Sequence, residues 1–231
     1  MRRPERGAGP RTLTLLAALA WAWVAGPALG QAPGPVPATV RLGPGSVLWL
    51  EGWSNVHEWE SRTSQPTVKL LRDASAADAA DVAALDQWLR SGAVRGLDLV
   101  VPLATLHSKK GATLDKNMLK ALKAEQNPEI TFRLTQAKVG EASGDSIPVS
   151  ADGVLRIAGH ERPITVAGRL VRSEAGVWLK GSHGLRMSAF DVKPPTMMMG
   201  TLRVRDSVSV HFNLLLSPGA PSGTVNSEAR H

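Results

Sequence analysis

Histidine, acidic, serine, lysine and methionine side chains are the candidates for chemistry in this 231-residue chain, because the sequence contains no cysteine. That composition excludes thiol nucleophiles, cysteine-based zinc sites and iron–sulfur clusters. None of the six histidines is spaced from another as metal ligands are. His57 and Glu60 are three residues apart, which places them on opposite faces of a predicted strand. Surface or hydrogen-bonded histidines are therefore favoured over a metal site.

Three consecutive methionines, Met197, Met198 and Met199, follow two prolines. Thioethers are suitable ligands for copper(I). Consecutive residues of a strand, however, cannot all point to one centre. The favoured interpretation is a loop at the rim of the fold, where flexible side chains contact a ligand or the core.

Catalytic motifs are not evident in the sequence, which has no Gly-x-Ser-x-Gly elbow, phosphate loop or convincing pair of carboxylates. Asp98 and Asp206 do interrupt otherwise apolar stretches. Each is expected to lie at a strand end or to pair with an arginine such as Arg169 or Arg203. The alternative is a polar contact to the head group of a ligand. We therefore expect a protein that is not an enzyme.

The secondary-structure elements that would position these side chains are predicted from an alternation of apolar and polar residues. It is clearest over residues 202–216, where the even positions are apolar except for Asp206 and the odd positions are polar except for Leu215. This period of two is typical of an antiparallel strand with one buried face. Seven other segments alternate less clearly: 46–53, 57–71, 96–103, 129–139, 147–158, 163–171 and 177–187.

The connections favour a closed sheet. Pro66 is expected to bend the 57–71 strand or to mark a sheet edge, and turn signals lie at 159–161 and 174–176. About eight long antiparallel strands usually close into a barrel, because closure removes the exposed edges. The predicted fold class is all-β, an eight-stranded antiparallel lipocalin-like barrel with one or two short helices at its mouth.

Two segments are predicted to be helical. The first covers residues 74–90, with Asp73 or Ser75 as its N-cap and Gly92 as its end. The second covers residues 113–123, with apolar residues at a spacing of four: Leu114, Met118 and Leu122. Both are expected to pack on the barrel, and a mobile lid is the alternative for the first.

The first 30 residues have the features of a secretory signal peptide. Four arginines precede an apolar run at 13–25, and Ala28-Leu29-Gly30 offers a cleavage site after Gly30. The run is shorter than the roughly 20 residues that a spanning helix needs. We expect a periplasmic or secreted protein with four parts: a signal peptide at 1–30, a flexible linker at 31–39, a barrel at 40–216 and a disordered tail at 217–231.

The charge distribution limits the partners. The chain carries a net charge of +7, and the predicted mature part carries +4 because residues 1–30 contain four arginines and one glutamate. No basic run interleaves with aromatic residues, which disfavours nucleic-acid binding. A transient contact with an anionic membrane surface is compatible with this charge, and two barrels could pair as a homodimer.

Several groups of residues, in this order, resemble the YceI-like family of exported lipocalin-like barrels. They are GWSNVHEW at 52–59, LDKNMLKAL at 114–122 with NPEITF at 127–132, GVLRIAG at 153–159 with RPI at 162–164, and FDVKPP at 190–195 with GTLRV at 200–204. The resemblance implies a barrel with a long apolar cavity that binds polyisoprenoids, isoprenoid quinones or other lipids. The alanine-rich segment 74–90 and the scarcity of aromatic residues depart from the family pattern.

The candidate binding residues are the apolar side chains expected to face inward and line a cavity. They are Trp49, Leu99, Val101, Phe132, Leu134, Val166, Met198, Val208, Val210, Phe212 and Leu214. The same side chains could instead fill a solid core, since eight strands leave room for one ligand at most. No cofactor is required, although an isoprenoid lipid or quinone could be bound. The alternatives are a structural or envelope-interaction barrel with a filled core and an enzyme acting on a small substrate.

Overall fold

The structure is a computed structural model that describes residues 34–109, 111–197 and 201–219. The predicted signal peptide, Met198 and the part of the predicted tail beyond residue 219 lie outside these ranges. In the described part of the chain, no helix combines the length and apolar character needed to cross a membrane.

Antiparallel strands make up most of the described chain, and they belong to one sheet. Their bounds are β1 (Val36–Pro37), β2 (Val40–Leu42), β3 (Val47–Ser54), β4 (Glu58–Thr63), β5 (Thr67–Arg72), β6 (Val94–Pro102), β7 (His107–Ser108), β8 (Glu129–Val139), β9 (Ser146–Ile157), β10 (His160–Ser173), β11 (Gly176–Arg186), β12 (Thr196–Met197) and β13 (Leu202–Pro218).

The path of hydrogen-bonded neighbours is β1-β5-β6-β8-β9-β10-β11-β13-β3-β4-β7, with β2 and β12 also paired to β13. The sheet curls, because strands from both halves of this path contribute side chains to one interior cavity. The longest strand, β13, pairs with β11, β3, β2 and β12. The predicted antiparallel all-β class is therefore confirmed.

The number of strands differs from the predicted eight. The predicted strand at 57–71 is two strands, β4 and β5, which are separated by a turn containing Pro66 and do not pair with each other. Instead, β4 pairs with β3 on one side and with β7 on the other, and β5 pairs with β6 on one side and with β1 on the other. Short strands such as β1, β2, β7 and β12 were not predicted, because two or three residues carry no measurable alternation.

Two predicted boundaries are also wrong in the described ranges. Val36 and Pro37, placed in a flexible linker, pair with β5. Thr39 follows them, and its backbone N–H and hydroxyl donate to the Asp78 carboxylate at 3.1 and 2.5 Å. At the other terminus, Ser217, placed in a disordered tail, pairs with β2 as part of β13. Strand pairing therefore fixes segments whose composition resembled that of linkers.

Helix α1 (Val82–Arg90) is shorter than predicted. Its N-cap is Asp81, whose carboxylate accepts from the Ala84 backbone N–H at 2.8 Å. The predicted cap residue Asp73 instead accepts from the backbone and hydroxyl of Ser75. Asp side chains that bond to the nearby backbone hold it in turns, which explains why the alanine-rich stretch before residue 82 is not helical.

The C-terminal end of α1 agrees with the sequence. The helix ends at Arg90, and Gly92 follows with a φ of +69°, the left-handed conformation that glycine adopts readily. The α1 side chains Leu85, Trp88 and Leu89 are buried against the ends of β9, β10, β11 and β13. We call this end of the sheet the α1 end.

The opposite end, the α2 end, carries the other helical elements. They are helix α2 (Ala112–Ala121) and the short 3-10 turns Leu103–Thr105, after β6, and Met187–Phe190, after β11. Met118 and Leu119 of α2 pack against a buried cluster that contains Leu103 and Leu106. The second predicted helix, at 113–123, is therefore confirmed with its bounds shifted by one or two residues.

Candidate functional site

An apolar cavity lies inside the curl of the sheet. Its volume is about 280 Å³, close to the roughly 300 Å³ at the small end of ligand pockets. Side chains of β3–β6, β8–β11, β13 and both helices line it. Among the described residues, the wall contains no lysine, arginine, aspartate or glutamate. The predicted alternative of a solid core therefore does not describe this interior.

Nine predicted candidates lie in the cavity wall. They are Leu99, Val101, Phe132, Leu134, Val166, Val208, Val210, Phe212 and Leu214. Their contact with a ligand stays a prediction. Met198 lies outside the described residues, so the structure gives no position for it.

The prediction that Trp49 lines the cavity is wrong. Its neighbours Leu48 and Leu50 face the cavity, and the alternation of β3 directs Trp49 to the outer face. There its ring stacks on His211, with centroids 5.0 Å apart and planes 11° apart. Its indole N–H donates to the Glu51 carboxylate at 2.7 Å. Trp49 therefore covers polar groups on the outside of the sheet.

Glycines set the position of the aromatic rings inside the cavity. Three of the inward rings lie over a glycine of a neighbouring strand, where a Cβ atom would overlap the ring. At Gly153 and Gly181 that atom would lie 2.5 Å from the nearest ring atom. The rings therefore lie along the wall and leave the centre of the cavity open. The three pairs are Trp59 over Gly52, Phe132 over Gly153 and Phe212 over Gly181.

Polar wall residues that were not predicted include Trp59, Ser61 and His183. Trp59 and Ser61 lie two residues apart in β4 and therefore share its inner face. The alternation of β4 carried this signal, since charged residues occupy its other positions, 58, 60 and 62. His183 faces inward from β11, and the described residues offer it no hydrogen bond. The prediction that the histidines are surface or hydrogen-bonded groups is thus wrong for His183.

The remaining histidines of the described ranges have ordinary partners. His57 Nδ1 lies 2.8 Å from the Ser54 hydroxyl, and His160 Nδ1 lies 3.1 Å from the Asp191 carboxylate. His107 Nδ1 lies 3.4 Å from Asp115. In those ranges, no three histidine, aspartate or glutamate side chains are grouped so that they could hold a metal ion.

Asp98 and Asp206 do not line the cavity. Asp98 pairs with Arg133 at 3.3 Å on the exposed face, and not with Arg169 or Arg203. Asp206 accepts from the Ser188 hydroxyl at 2.6 Å and from its backbone N–H at 2.8 Å. These two bonds hold the pKa of the Asp206 carboxyl below its usual value. The predicted alternative of a head-group contact therefore finds no support at either residue.

A family model described as a YceI-like domain matches residues 57–216 of this chain. The match covers more than half of the sequence and includes every strand from β4 to β11 and most of β13. No curated protein matches the chain.

Two solved structures illustrate the similarity of fold. BcnA of Burkholderia cenocepacia is 18% identical, covers 73% of this chain and 94% of its own, and has a TM-score of 0.51. A polyisoprenoid binding domain from Saccharophagus degradans, implicated in plant cell wall breakdown, is 14% identical, covers 78% of this chain and 99% of its own, and has a TM-score of 0.56. At such identities the likeness shows a shared fold.

Proposed function

Because this chain belongs to the YceI-like domain family, we propose that it is a binding or carrier protein for a long apolar ligand held inside the sheet. A polyisoprenoid, an isoprenoid quinone or another lipid fits this description. The observation that carries the proposal is an interior cavity whose wall is predominantly apolar and, among the described residues, contains no lysine, arginine, aspartate or glutamate. The Saccharophagus degradans domain of the same fold is itself named for polyisoprenoid binding.

The energetics of such a site favour hydrocarbon chains. Transfer of a lipid tail from water into an apolar cavity gains about 0.8 kcal/mol per buried CH2 group. The rings that lie along the wall leave their apolar faces available for contact. A long chain can therefore bind through contact area alone, without an ion pair.

The fold is proposed to be a closed, lipocalin-like barrel. Two short connections support closure between β5 and β4, the six-residue strands that lie next to β1 and β7 at the two ends of the strand order. β1 pairs with β5 while β2, which follows it, pairs with β13. On the other side, β7 follows β6 through a 3-10 turn and pairs with β4. Closure of this kind would separate a bound lipid from water along its whole length.

Binding is favoured over catalysis by the placement of the polar wall groups. Ser61 and His183 lie in one row across β4, β3, β13 and β11, with Leu50 and Val210 between them. They are thus three strand spacings apart along the sheet, whereas a serine nucleophile needs a base within roughly 3 Å. Among the described residues, Ser61 and His183 therefore form no assembled nucleophile, although each can contact a ligand.

The proposed location is the periplasm or the exterior of the cell, after removal of the predicted signal peptide. The sequence of residues 1–30 supports this proposal. A lipid carrier in that location would exchange its ligand at a membrane surface, which the net positive charge of the chain would favour.

The test is to express the full chain, fractionate the cells and identify the lipid that co-purifies. Native mass spectrometry of the purified protein should show a bound mass, and lipid extraction should identify it. The stripped protein should bind the isoprenoid hydrocarbon farnesene saturably in a fluorescence titration. A protein that carries no lipid and binds no farnesene would contradict the proposal.

A matched pair of variants separates the cavity from the outer surface. Val166 faces the cavity and its neighbour Ala167 is exposed on the other face of β10. Val166→Phe should weaken farnesene binding at least tenfold because the added ring occupies the cavity. Ala167→Phe should bind as the wild type does. Equal affinities of the two variants would place the binding site elsewhere.

A further inference from the structure

We propose that Trp59 and Ser61 form a hydrogen-bonding site inside the cavity that selects neutral ligands carrying a carbonyl oxygen. The inference rests on the proposed function and goes beyond it, because it assigns a polar contact and a chemical class of ligand. A hydrocarbon chain alone would not use this site.

The inference begins with two buried polar atoms that lack partners. The indole Nε1 of Trp59 and the hydroxyl of Ser61 are inaccessible to water and have no hydrogen bond among the described residues. Ser61 is only 1% exposed. Buried polar atoms are nearly always paired in proteins, so two orphans on one face of one strand need an explanation. Both residues line the cavity, so a ligand inside it, reached by a small movement of either side chain, is the available partner.

The packing of Trp59 holds its N–H in one place. Trp59 pairs directly with Gly52 across β3 and β4, and its ring lies over that glycine. A Cβ atom on residue 52 would lie 2.9 Å from the indole nitrogen. The ring, including its nitrogen, therefore rests against the wall before a ligand arrives. Ser61 follows on the same face, paired with Leu50.

The chemistry of the two groups defines what they recognise. An indole N–H is a donor only, and a hydroxyl can donate or accept. A carbonyl oxygen has two lone pairs and can accept from both. A carboxylate or phosphate could accept as well, but its charge would enter a wall that offers no lysine or arginine among the described residues. An isolated charge in such a site is strongly disfavoured, so the geometry points to a neutral carbonyl, as in a ketone, quinone, ester or amide.

Apolar side chains of β3 and β13 lie next to Trp59 and Ser61, so in this part of the cavity a polar group of the ligand finds its hydrogen bonds at these two residues. Leu50, Val208 and Val210 occupy the neighbouring inward positions of β3 and β13. An oxygen displaced from Trp59 and Ser61 along β3 or β13 would therefore meet apolar side chains. The ligand is expected to place its carbonyl at β4 and its hydrocarbon chain against the rest of the wall.

Two isoprenoid probes of similar length test the inference: farnesylacetone, a neutral ketone, and farnesene, a hydrocarbon. Trp59→Phe retains a ring over Gly52 but removes the N–H, and Ser61→Ala removes the hydroxyl. Each variant should bind farnesylacetone about tenfold more weakly than the wild type, because a buried hydrogen bond is lost. Farnesene affinity should change less than twofold. Circular dichroism and thermal unfolding confirm that each variant is folded.

The chain offers matched control variants. Trp178→Phe removes an indole N–H and Ser182→Ala removes a hydroxyl from β11, both on the side away from the cavity. Both should bind the two probes as the wild type does. Infrared spectra supply a second readout, since the carbonyl band of bound farnesylacetone should lie at lower frequency in the wild type than in Trp59→Phe.

The outcomes distinguish this inference from the proposed function. Failure of the wild type to bind either probe overturns both. Binding of both probes, with no selective loss of the ketone in Trp59→Phe and Ser61→Ala and no change in the carbonyl band, overturns only the hydrogen-bonding site. Selective loss of the ketone in those two variants, and not in the controls, supports it.

Discussion

Glycine residues opposite aromatic side chains determine how far the rings project into the cavity. Phe212 lies over Gly181 and Trp59 lies over Gly52. A larger residue at either glycine would have to share the space with a ring. Because protein interiors tolerate little overlap, the ring would move rather than the strand wherever only the ring is in the way. The size of the cavity is thus set by residues that contribute no side chain to it.

Gly52→Ala should reduce the cavity and weaken binding. The three atoms nearest to the new Cβ all belong to the Trp59 ring, so the ring must shift towards the interior. We expect at least a tenfold loss of farnesene affinity and a loss of about 1–3 kcal/mol in the free energy of unfolding. Calorimetric titration and urea denaturation measure the two quantities.

Gly184→Ala is the control for this substitution, because a Cβ on that strand glycine would have no atom within 4 Å. It should leave binding unchanged. The double variant Gly52→Ala with Trp59→Leu should recover part of the farnesene affinity, since the smaller side chain clears the overlap. Unchanged affinity in Gly52→Ala alone would show that the ring position does not limit the cavity.

At the scale of elements, α1 is part of the core. Leu85 is 0% exposed, and Trp88 and Leu89 are buried beside it. These side chains pack on the strand ends that carry Ile147, Leu170 and Val177. Such burial is typical of a packed helix and contradicts the mobile lid considered from the sequence.

Leu85→Ala should therefore destabilise the whole protein. Removal of a fully buried leucine side chain costs about 2–5 kcal/mol, depending on how far the surroundings relax. Urea denaturation followed by circular dichroism measures the loss. Gln87→Ala, an exposed change in the same helix, should stay within about 0.5 kcal/mol of the wild type. A loss below 1 kcal/mol for Leu85→Ala would indicate that α1 detaches before the sheet unfolds.

Sequence patterns predicted the long elements and missed the short ones for physical reasons. Residues 129–139 and 202–216 alternate over many positions because one face of each strand is buried, so β8 and β13 were located closely. A strand such as β7, with two residues, forms because β4 has an unpaired edge. Its cause lies in another part of the chain and leaves no local pattern.

The candidate site was predictable where it follows from the alternation of inward and outward side chains along a strand. Nine of the predicted wall residues follow from alternation, whereas Trp49 alternates with the inward Leu48 and Leu50 and faces outwards. Trp59 and Ser61 share a strand with Glu58 and Glu60, and that alternation could have placed them inside. Their lack of partners could not be predicted, because it depends on atoms from several strands.

At the scale of the whole molecule, the predicted transient membrane contact would use two exposed apolar side chains. Trp53 is 51% exposed and Val56 is 71% exposed, at the tip of the β3–β4 hairpin. The tip lies at the α2 end, since Ser54 pairs with Val204 near the start of β13. Aromatic side chains are favoured at membrane interfaces, and the net positive charge favours an anionic surface.

The wild type should co-sediment with phosphatidylglycerol vesicles more than with phosphatidylcholine vesicles, and less as salt is added. The double variant Trp53→Ser, Val56→Ser should lose most of this binding because it removes the inserted apolar surface. Ala167→Ser, an exposed change on β10, is the control. Equal sedimentation of the double variant and the wild type would exclude the hairpin as the contact.

The position of β13 in the chain affects how the protein folds. This strand lies between β11 and β3, which are more than 120 residues apart in sequence. During synthesis, β3 and β11 therefore stay without a shared neighbour until residues 202–218 have been made. Pairings between such distant segments form slowly, because the chain must first lose the entropy of closing a long loop. The nascent polypeptide consequently remains incompletely folded until late in translation, the condition under which a chain can still be threaded through a secretion channel.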